Sequence, residues 1–562
     1  MIKKYIILLF ISVSLVQCLE VKKSPFDLSS PNLFTIGLFI FLNNSSTSGD
    51  RTAPTLTVTN LKSKMTIEFG AILGTASDNV SVSKVEVQLN NGNYSLATGT
   101  TSWSYKLPLT GWLTGNQNTI NVRVTDSSGN TTINPYTLLT KGQNKDVNGD
   151  GYLDLIVSAP NYNSNQGRVY VFHGSASGIS SATASSASKI YTGFNVNLFG
   201  KNLALGDFNQ DGYSDLFICS SLNGNANNRG DLYLGSATGL ANTATTYLPP
   251  SGTNTEYCSS VQPGDFNGDG YTDLVVSDIG YSNPPNNGYL YIYYGSQNGL
   301  STSVGTTLVS GAGSNLGIGM SVGDINGDGY ADIVATNSGS ATVYLFFGAA
   351  AGVSTLTTAF NGTGVSASGF PYLMDINGDY KADFLSSNTS FNSNVGRVGV
   401  FQSTGASFNS TPVFTIDGDG PNYLFANFIT SADTNGDGTL DIVFGNPSGN
   451  HPNGNQGAVY VIQCAVGATC AGSGTASSLA SLKITGGATQ DFFGSFVTFR
   501  DVNRDGYLDL IAAARGYNSG TNQGALYIFN GTATAFSNST VSANSKMITG
   551  ESAANSFGNS GF

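Results

Sequence analysis

Apolar residues fall in short runs along this chain, separated by Gly, Asn, Asp and Ser. Leu155-Ile156-Val157 and Leu274-Val275-Val276 are unbroken and rich in β-branched residues, which suits strands buried on both faces. Val85-Glu86-Val87-Gln88-Leu89 and Ile120-Asn121-Val122-Arg123-Val124 alternate, which suits strands with one wet face. A third kind of run is aromatic: Gly167-Arg168-Val169-Tyr170-Val171-Phe172, Gly288-Tyr289-Leu290-Tyr291-Ile292-Tyr293 and Gly524-Ala525-Leu526-Tyr527-Ile528-Phe529. The pattern predicts an all-β chain of many short strands. Two apolar stretches stand apart. Ile6 to Val16 follows Lys3-Lys4, and Leu33 to Leu42 is ten residues long, short of the roughly 20 that span a bilayer.

Each unbroken run is preceded by the same nine residues. Asp stands at positions 1, 5 and 9 and Asn at position 3, and the pattern occurs seven times. With position 7 included, the copies are Asp146, Asn148, Asp150, Tyr152 and Asp154; Asp207, Asn209, Asp211, Tyr213 and Asp215; Asp265, Asn267, Asp269, Tyr271 and Asp273; Asp324, Asn326, Asp328, Tyr330 and Asp332; Asp375, Asn377, Asp379, Lys381 and Asp383; Asp433, Asn435, Asp437, Thr439 and Asp441; and Asp501, Asn503, Asp505, Tyr507 and Asp509. Hard cations such as Ca²⁺ take six to eight oxygens in a flexible shell. Here positions 1, 3, 5 and 9 offer side-chain oxygens, and position 7 would add its backbone carbonyl. Gly at position 6 permits a positive φ; Tyr380 breaks that rule in the fifth copy. No Glu stands at position 12, and a β-prone run follows rather than a helix, so these are not EF-hands. The bland alternative is an Asx-rich turn without metal. Seven copies favour up to seven Ca²⁺ ions.

Charge fits the same picture. The net charge is −12, and three Asp per loop supply most of the 35 acidic residues. Seven dications would bring the chain close to neutral. No basic stripe with interleaved aromatics points to nucleic acid. With only His173 and His451 in 562 residues, a His-based catalytic set has little to draw on. No Gly-x-Ser-x-Gly elbow precedes a helix. The expectation is that the protein is not an enzyme and has no catalytic residues.

The chain divides into four segments. Residues 1–18 read as an export signal; Leu15-Val16-Gln17-Cys18 resembles a bacterial lipobox, with Cys18 lipidated, although Gln17 departs from the usual small residue. Residues 19–51 read as a tether. Residues 52–141, with turns at Asn91-Gly92 and Ser128-Gly129-Asn130, read as a β-sandwich that resembles bacterial Ig-like domains and serves as a spacer. Residues 142–562 hold the repeats, spaced 61, 58, 59, 51, 58 and 68 residues apart, a period that suggests a propeller or solenoid.

Phe199-Gly200 and Phe493-Gly494 stand eight residues before their loops. With Ser158-Ala159-Pro160 after the second strand, these residues resemble the FG-GAP repeat, the blade of the integrin α-subunit propeller. The resemblance implies four strands per blade, the cation loop between the first and second. The first repeat lacks a Phe-Gly strand, and Phe557-Gly558 near the C-terminus is expected to supply it, giving a seven-bladed β-propeller. Cys464 and Cys470 lie close enough for a small loop disulfide; Cys219 and Cys258 are either paired or buried thiols. Binding is expected on the variable loops 161–165, 281–287, 391–394, 451–455 and 517–521. Arg229-Gly230-Asp231 matches the integrin-recognition tripeptide, but Gly230 is read as the glycine that opens every third strand, as Gly167 and Gly288 do. The whole reads as a calcium-binding surface lipoprotein of the bacterial envelope, at the outer membrane, acting in adhesion or protein interaction. Its partners are an extracellular protein or glycan and, through the lipid, the membrane. A lectin-like propeller is the alternative, and a secreted hydrolase or lyase a more remote one.

Overall fold

A computed structural model describes residues 50–562, apart from short internal stretches that include 62–70, 107–117, 139–144, 281–287, 310–314, 436–438 and 450–453. The signal segment with Cys18 and the tether up to residue 49 lie outside the described residues, as do Tyr380, Asp437 and His451. By its contacts the chain separates into residues 1–50 and residues 51–562.

The alternating strands near the N-terminus pair into two four-stranded sheets. One has the order 55–58, 71–77, 102–106, 98–99, and the other 95–96, 82–89, 118–126, 131–138. Ile72, Ala76 and Trp103 of the first sheet share a core with Val85, Val87, Ile120, Val122 and Val124 of the second. The alternation in sequence thus becomes a two-layer sandwich, each strand turning its apolar side inward.

Among the described residues the repeats form seven further sheets in chain order. Apart from the first, each is built on four antiparallel strands, such as 199–206, 215–220, 229–233 and 245–247, or 493–500, 509–514, 525–529 and 546–549. The first strands adjoin one another in sequence: 199–206 beside 257–264, then 319–323, 371–374, 428–432 and 493–500. The arrangement is all-β and propeller-like. The first sheet has three strands of its own, 155–159, 168–172 and 189–192. Beside its strand 155–159 lies the C-terminal segment, where Val157 bridges Gly561 and the Ser158 N–H donates to the Ser560 carbonyl at 2.9 Å. Phe557 is fully buried among Leu155, Val157, Tyr170 and Phe172.

Glycines mark where consecutive repeats touch. A Cβ on Gly457 or Gly524 would lie about 2 Å from the carbonyl oxygen of Phe493 or Phe557, far inside contact distance. The glycine of the Phe-Gly pairs, and of their counterpart Leu316-Gly317, rests on the second strand of the preceding sheet: Gly200 on Ser158, Gly317 on Ser277, Gly558 on Ala513. Where the two positions are Cys258 and Cys219, they form a disulfide, with Cα atoms 5.5 Å apart. Cys464 and Cys470 are joined as well, at 4.2 Å.

Register corrects one assignment. Arg168, Arg229 and Tyr289 pair with Ala159, Ser220 and Asp278, five residues past their loops. The counterpart of Gly167 and Gly288 is therefore Asn228, not Gly230, which lies inside the strand with its Cα against the Phe217 ring. Asn228 takes the turn by bonding both the N–H and the carbonyl of Leu222, a local mimic of backbone pairing.

The outer edges differ among sheets. Residues 474–475 add a parallel strand to 414–417, and 539–540 add one to 482–485. Thr183 bridges Thr549 in the same parallel sense. A segment of the following repeat so covers an otherwise open edge.

Candidate metal loops

The loops after the first join a first to a second strand, the first loop leads into strand 155–159, and each descends from an exposed tip to a buried base. Asp at position 5 is exposed in the six loops where it is described, whereas Asp154, Asp215, Asp273, Asp332, Asp383, Asp441 and Asp509 at position 9 are at most 1% exposed. The strand that begins there is fully buried, and its first residue is carried in with it.

The position-9 carboxylates share one bonding pattern in all seven loops. One oxygen accepts the N–H of position 2, from Val147, Phe208, Phe266, Ile325, Ile376, Thr434 and Val502, at 2.8 to 3.2 Å. The other accepts an N–H just past the third strand, from Gly174, Gly235, Gly295, Gly348, Ser403, Cys464 and Gly531, at 2.7 to 3.0 Å. Position 1 holds the turn: in loops one to four its Oδ2 accepts the N–H of Gly151, Gly212, Gly270 or Gly329. These glycines have φ of 86 to 91°, which only glycine adopts at little cost. Position 5 accepts the N–H of position 7, from Tyr152, Tyr213, Tyr271, Tyr330, Lys381 and Tyr507.

Burial dominates the electrostatics. It raises Asp207, Asp332, Asp383 and Asp509 to about 7 and Asp273 to about 8, with neighbouring loop carboxylates adding to the rise. Burial likewise raises Asp154 and Asp215 well above the usual range, and Asp265 more modestly. Among the described residues no loop gathers three acidic oxygens within 4.8 Å of one another. The carboxylates instead hold backbone N–H groups, most of their oxygens accepting one such bond and so keeping a second lone pair. The donors are carboxylate and amide oxygens, without sulfur or imidazole. That set suits a hard dication, which would offset the charge that burial disfavours.

Two features were not legible as functional in the sequence. The glycine after the third strand, as at Gly174, Gly235 and Gly295, is a fixed partner of a loop carboxylate some twenty residues away, and only its repetition could have flagged it. At position 4, where the first four of the other loops have Gly149, Gln210, Gly268 and Gly327, the last has Arg504. It is only 5% exposed. Burial lowers its pKa, while Tyr152, Asp501, Asp146 and Asp150 oppose that. A fixed cation therefore stands among the acids of the first and last loops.

The opposite-end loops are more constrained than their composition implied. Asn163-Ser164-Asn165 and Asn392-Ser393-Asn394 are consecutive left-handed residues. Tyr162 and Phe391 lie under the guanidinium groups of Arg168 and Arg397, each 3.9 Å from the ring centre, so one face of each ring is covered. Asp231 is 1% exposed and bonded to Arg229 at 2.9 Å and to Thr246 at 2.7 Å. The Arg-Gly-Asp tripeptide is thus tied into a sheet. Residues 281–287 and 451–453 of the expected binding loops lie outside the described residues.

Comparison with known proteins fits this geometry. An FG-GAP-like repeat model matches residues 207–276 and 324–386, and an FG-GAP repeat model matches 146–172, 425–462 and 493–529. Integrin alpha-IIb of Mus musculus is 32% identical over 151 residues, covering 24% of this chain and 14% of the integrin. Phosphatidylinositol-glycan-specific phospholipase D of Rattus norvegicus is 32% identical over 182 residues, covering 29% of this chain and 21% of that enzyme. The chain therefore spans about a fifth or less of the length of these relatives. Among solved structures, the Dos1 propeller is 14% identical and covers 73% of this chain and 84% of its own, with a TM-score of 0.34. Together the repeat matches and the run of small antiparallel sheets support an FG-GAP β-propeller.

Proposed function

We propose that this protein is a calcium-binding, non-catalytic surface protein whose seven-bladed FG-GAP propeller serves as a protein-interaction module. On this reading it is exported and lipid-anchored through Cys18 at the bacterial outer membrane, and an Ig-like spacer at 52–141 carries the propeller. The supporting observation is the loop set: one oxygen-only donor group per sheet, with a buried carboxylate at its base tied to two backbone segments. Ca²⁺ there would organise the turn between strands rather than activate water, with affinity on the order of 10⁻⁴–10⁻³ M, typical of extracellular modules. The matches to integrin repeats favour protein recognition, and the loops at the opposite end differ from repeat to repeat, which suits one extended partner better than seven equivalent sugars.

The test is a screen of the full chain against matrix proteins and glycans, in CaCl₂ and after chelation, with melting followed in parallel. The reading predicts chelator-sensitive binding to a protein ligand and a lower melting temperature without calcium. Binding confined to glycans would establish the lectin alternative. A melting temperature indifferent to calcium would remove the metal from the account.

A further inference from the structure

The loops are wired to one another. Asp215 at the base of loop two grips the N–H groups of Phe208 and Gly235. The residues flanking that grip reach into loop one: the Ser214 N–H donates to the Asp146 carbonyl at 2.9 Å, and the Ser236 N–H to the Val147 carbonyl at 3.3 Å. The N–H of Val147 in turn donates to Asp154, the base of loop one. A continuous backbone relay so joins the two bases.

The same relay recurs. Thr272 and Ser296 of repeat three donate to the carbonyls of Asp207 and Phe208, both at 3.2 Å. Ala331 and Ala349 of repeat four donate to Asp265 and Phe266, at 2.9 and 3.1 Å. In repeat five the Ala382 N–H reaches the Asp324 carbonyl at 2.7 Å, and the Ser403 hydroxyl replaces the second amide, donating to Ile325 at 2.6 Å. In each case one donor immediately precedes the position-9 aspartate, and the other is, or directly follows, a residue that its carboxylate holds. The carbonyls they hold belong to the two residues that open the preceding loop.

We infer that the loops bind calcium as coupled nearest neighbours, the position-9 aspartate being the coupling element. This rests on the calcium reading above. A cation that draws on Asp215 steadies Ser214 and Ser236, hence the backbone that carries Asp146. By linkage the effect is reciprocal: a filled loop one lowers the cost of filling loop two. Loops without a shared relay respond independently. Uptake around the molecule is then graded and cooperative rather than a sum of separate sites.

Hydrogen–deuterium exchange of the full chain, read by mass spectrometry on loop peptides, tests this. In Asp215→Asn, exchange should quicken roughly tenfold in 146–154 and 265–273 as well as in 207–215, the scale of a lost bond to a charged group. Residues 375–383, three loops away, should not change. Asp211→Asn guards against misfolding, because its carboxylate is exposed and bonded within its own loop. There, half-protection of loops one and three should need several-fold more CaCl₂, and that of 375–383 should not. Changes confined to 207–215 in both variants would overturn the coupling, as would equal changes in 375–383. If wild-type exchange ignores CaCl₂ while Asp215→Asn still loosens its neighbours, the relay stands and the calcium reading falls.

Discussion

Gly457 and Gly472 separate two reasons for a glycine. Both have positive φ, 81° and 76°, yet a Cβ on Gly457 would meet the Phe493 backbone at 2.1 Å, and one on Gly472 would meet nothing within 4 Å. Gly472→Ala should cost only backbone strain, about 1 kcal/mol. Gly457→Ala must also push neighbouring repeats apart, and about 2–4 kcal/mol is expected. Urea denaturation of both variants measures the difference, and equal losses would mean that the close approach carries no energy. Sequence alone shows that both residues are glycine. It does not show which is pressed against a neighbour, because that neighbour, Phe493, belongs to the next repeat.

At the scale of the element, the C-terminal segment is the clearest case. Phe557 packs edge-on against Tyr170 at 5.3 Å and Phe172 at 6.4 Å. Gly558 and Ser560 exchange backbone bonds with Ser158. Phe557→Ala should destabilise the first sheet by about 3–5 kcal/mol, as for other buried aromatics. Proteolysis should then cut first between residues 155 and 192, and a cleavage pattern unchanged from wild type would show that the segment is dispensable. The Phe-Gly motif and its displacement to residue 557 were readable. The parallel edge strands at 474–475 and 539–540 were not, because two residues are too short to carry a period and their pairing depends on where the next repeat comes to rest.

For the molecule as a whole, seven buried carboxylates act together. Without a cation, burial raises Asp273 to about 8 and Asp332, Asp383 and Asp509 to about 7, against about 3.9 in an unfolded chain. Their protonation therefore contributes stability that is complete below the unfolded value and is lost as pH rises through the folded one. Calcium-stripped protein should melt higher at pH 5.5 than at pH 8. Calcium-saturated protein should show the opposite trend, since protons and Ca²⁺ compete for the same oxygens. Scanning calorimetry at several pH values checks both, and parallel trends in the two forms would count against cation binding at these bases.

What the sequence determined by itself is what recurs locally: the strand runs, the loop donors, the positive-φ glycines and the repeat period. These are fixed by residues within one turn or one strand, so spacing along the chain suffices to read them. Tertiary structure decided what depends on a partner sheet. It placed Gly230 inside a strand and gave its turn to Asn228. It joined Cys219 to Cys258 because both replace small residues at one contact. It showed the position-9 aspartates to be backbone clamps that link one loop to the next, since the amides they hold and the carbonyls beyond belong to segments that only folding brings together.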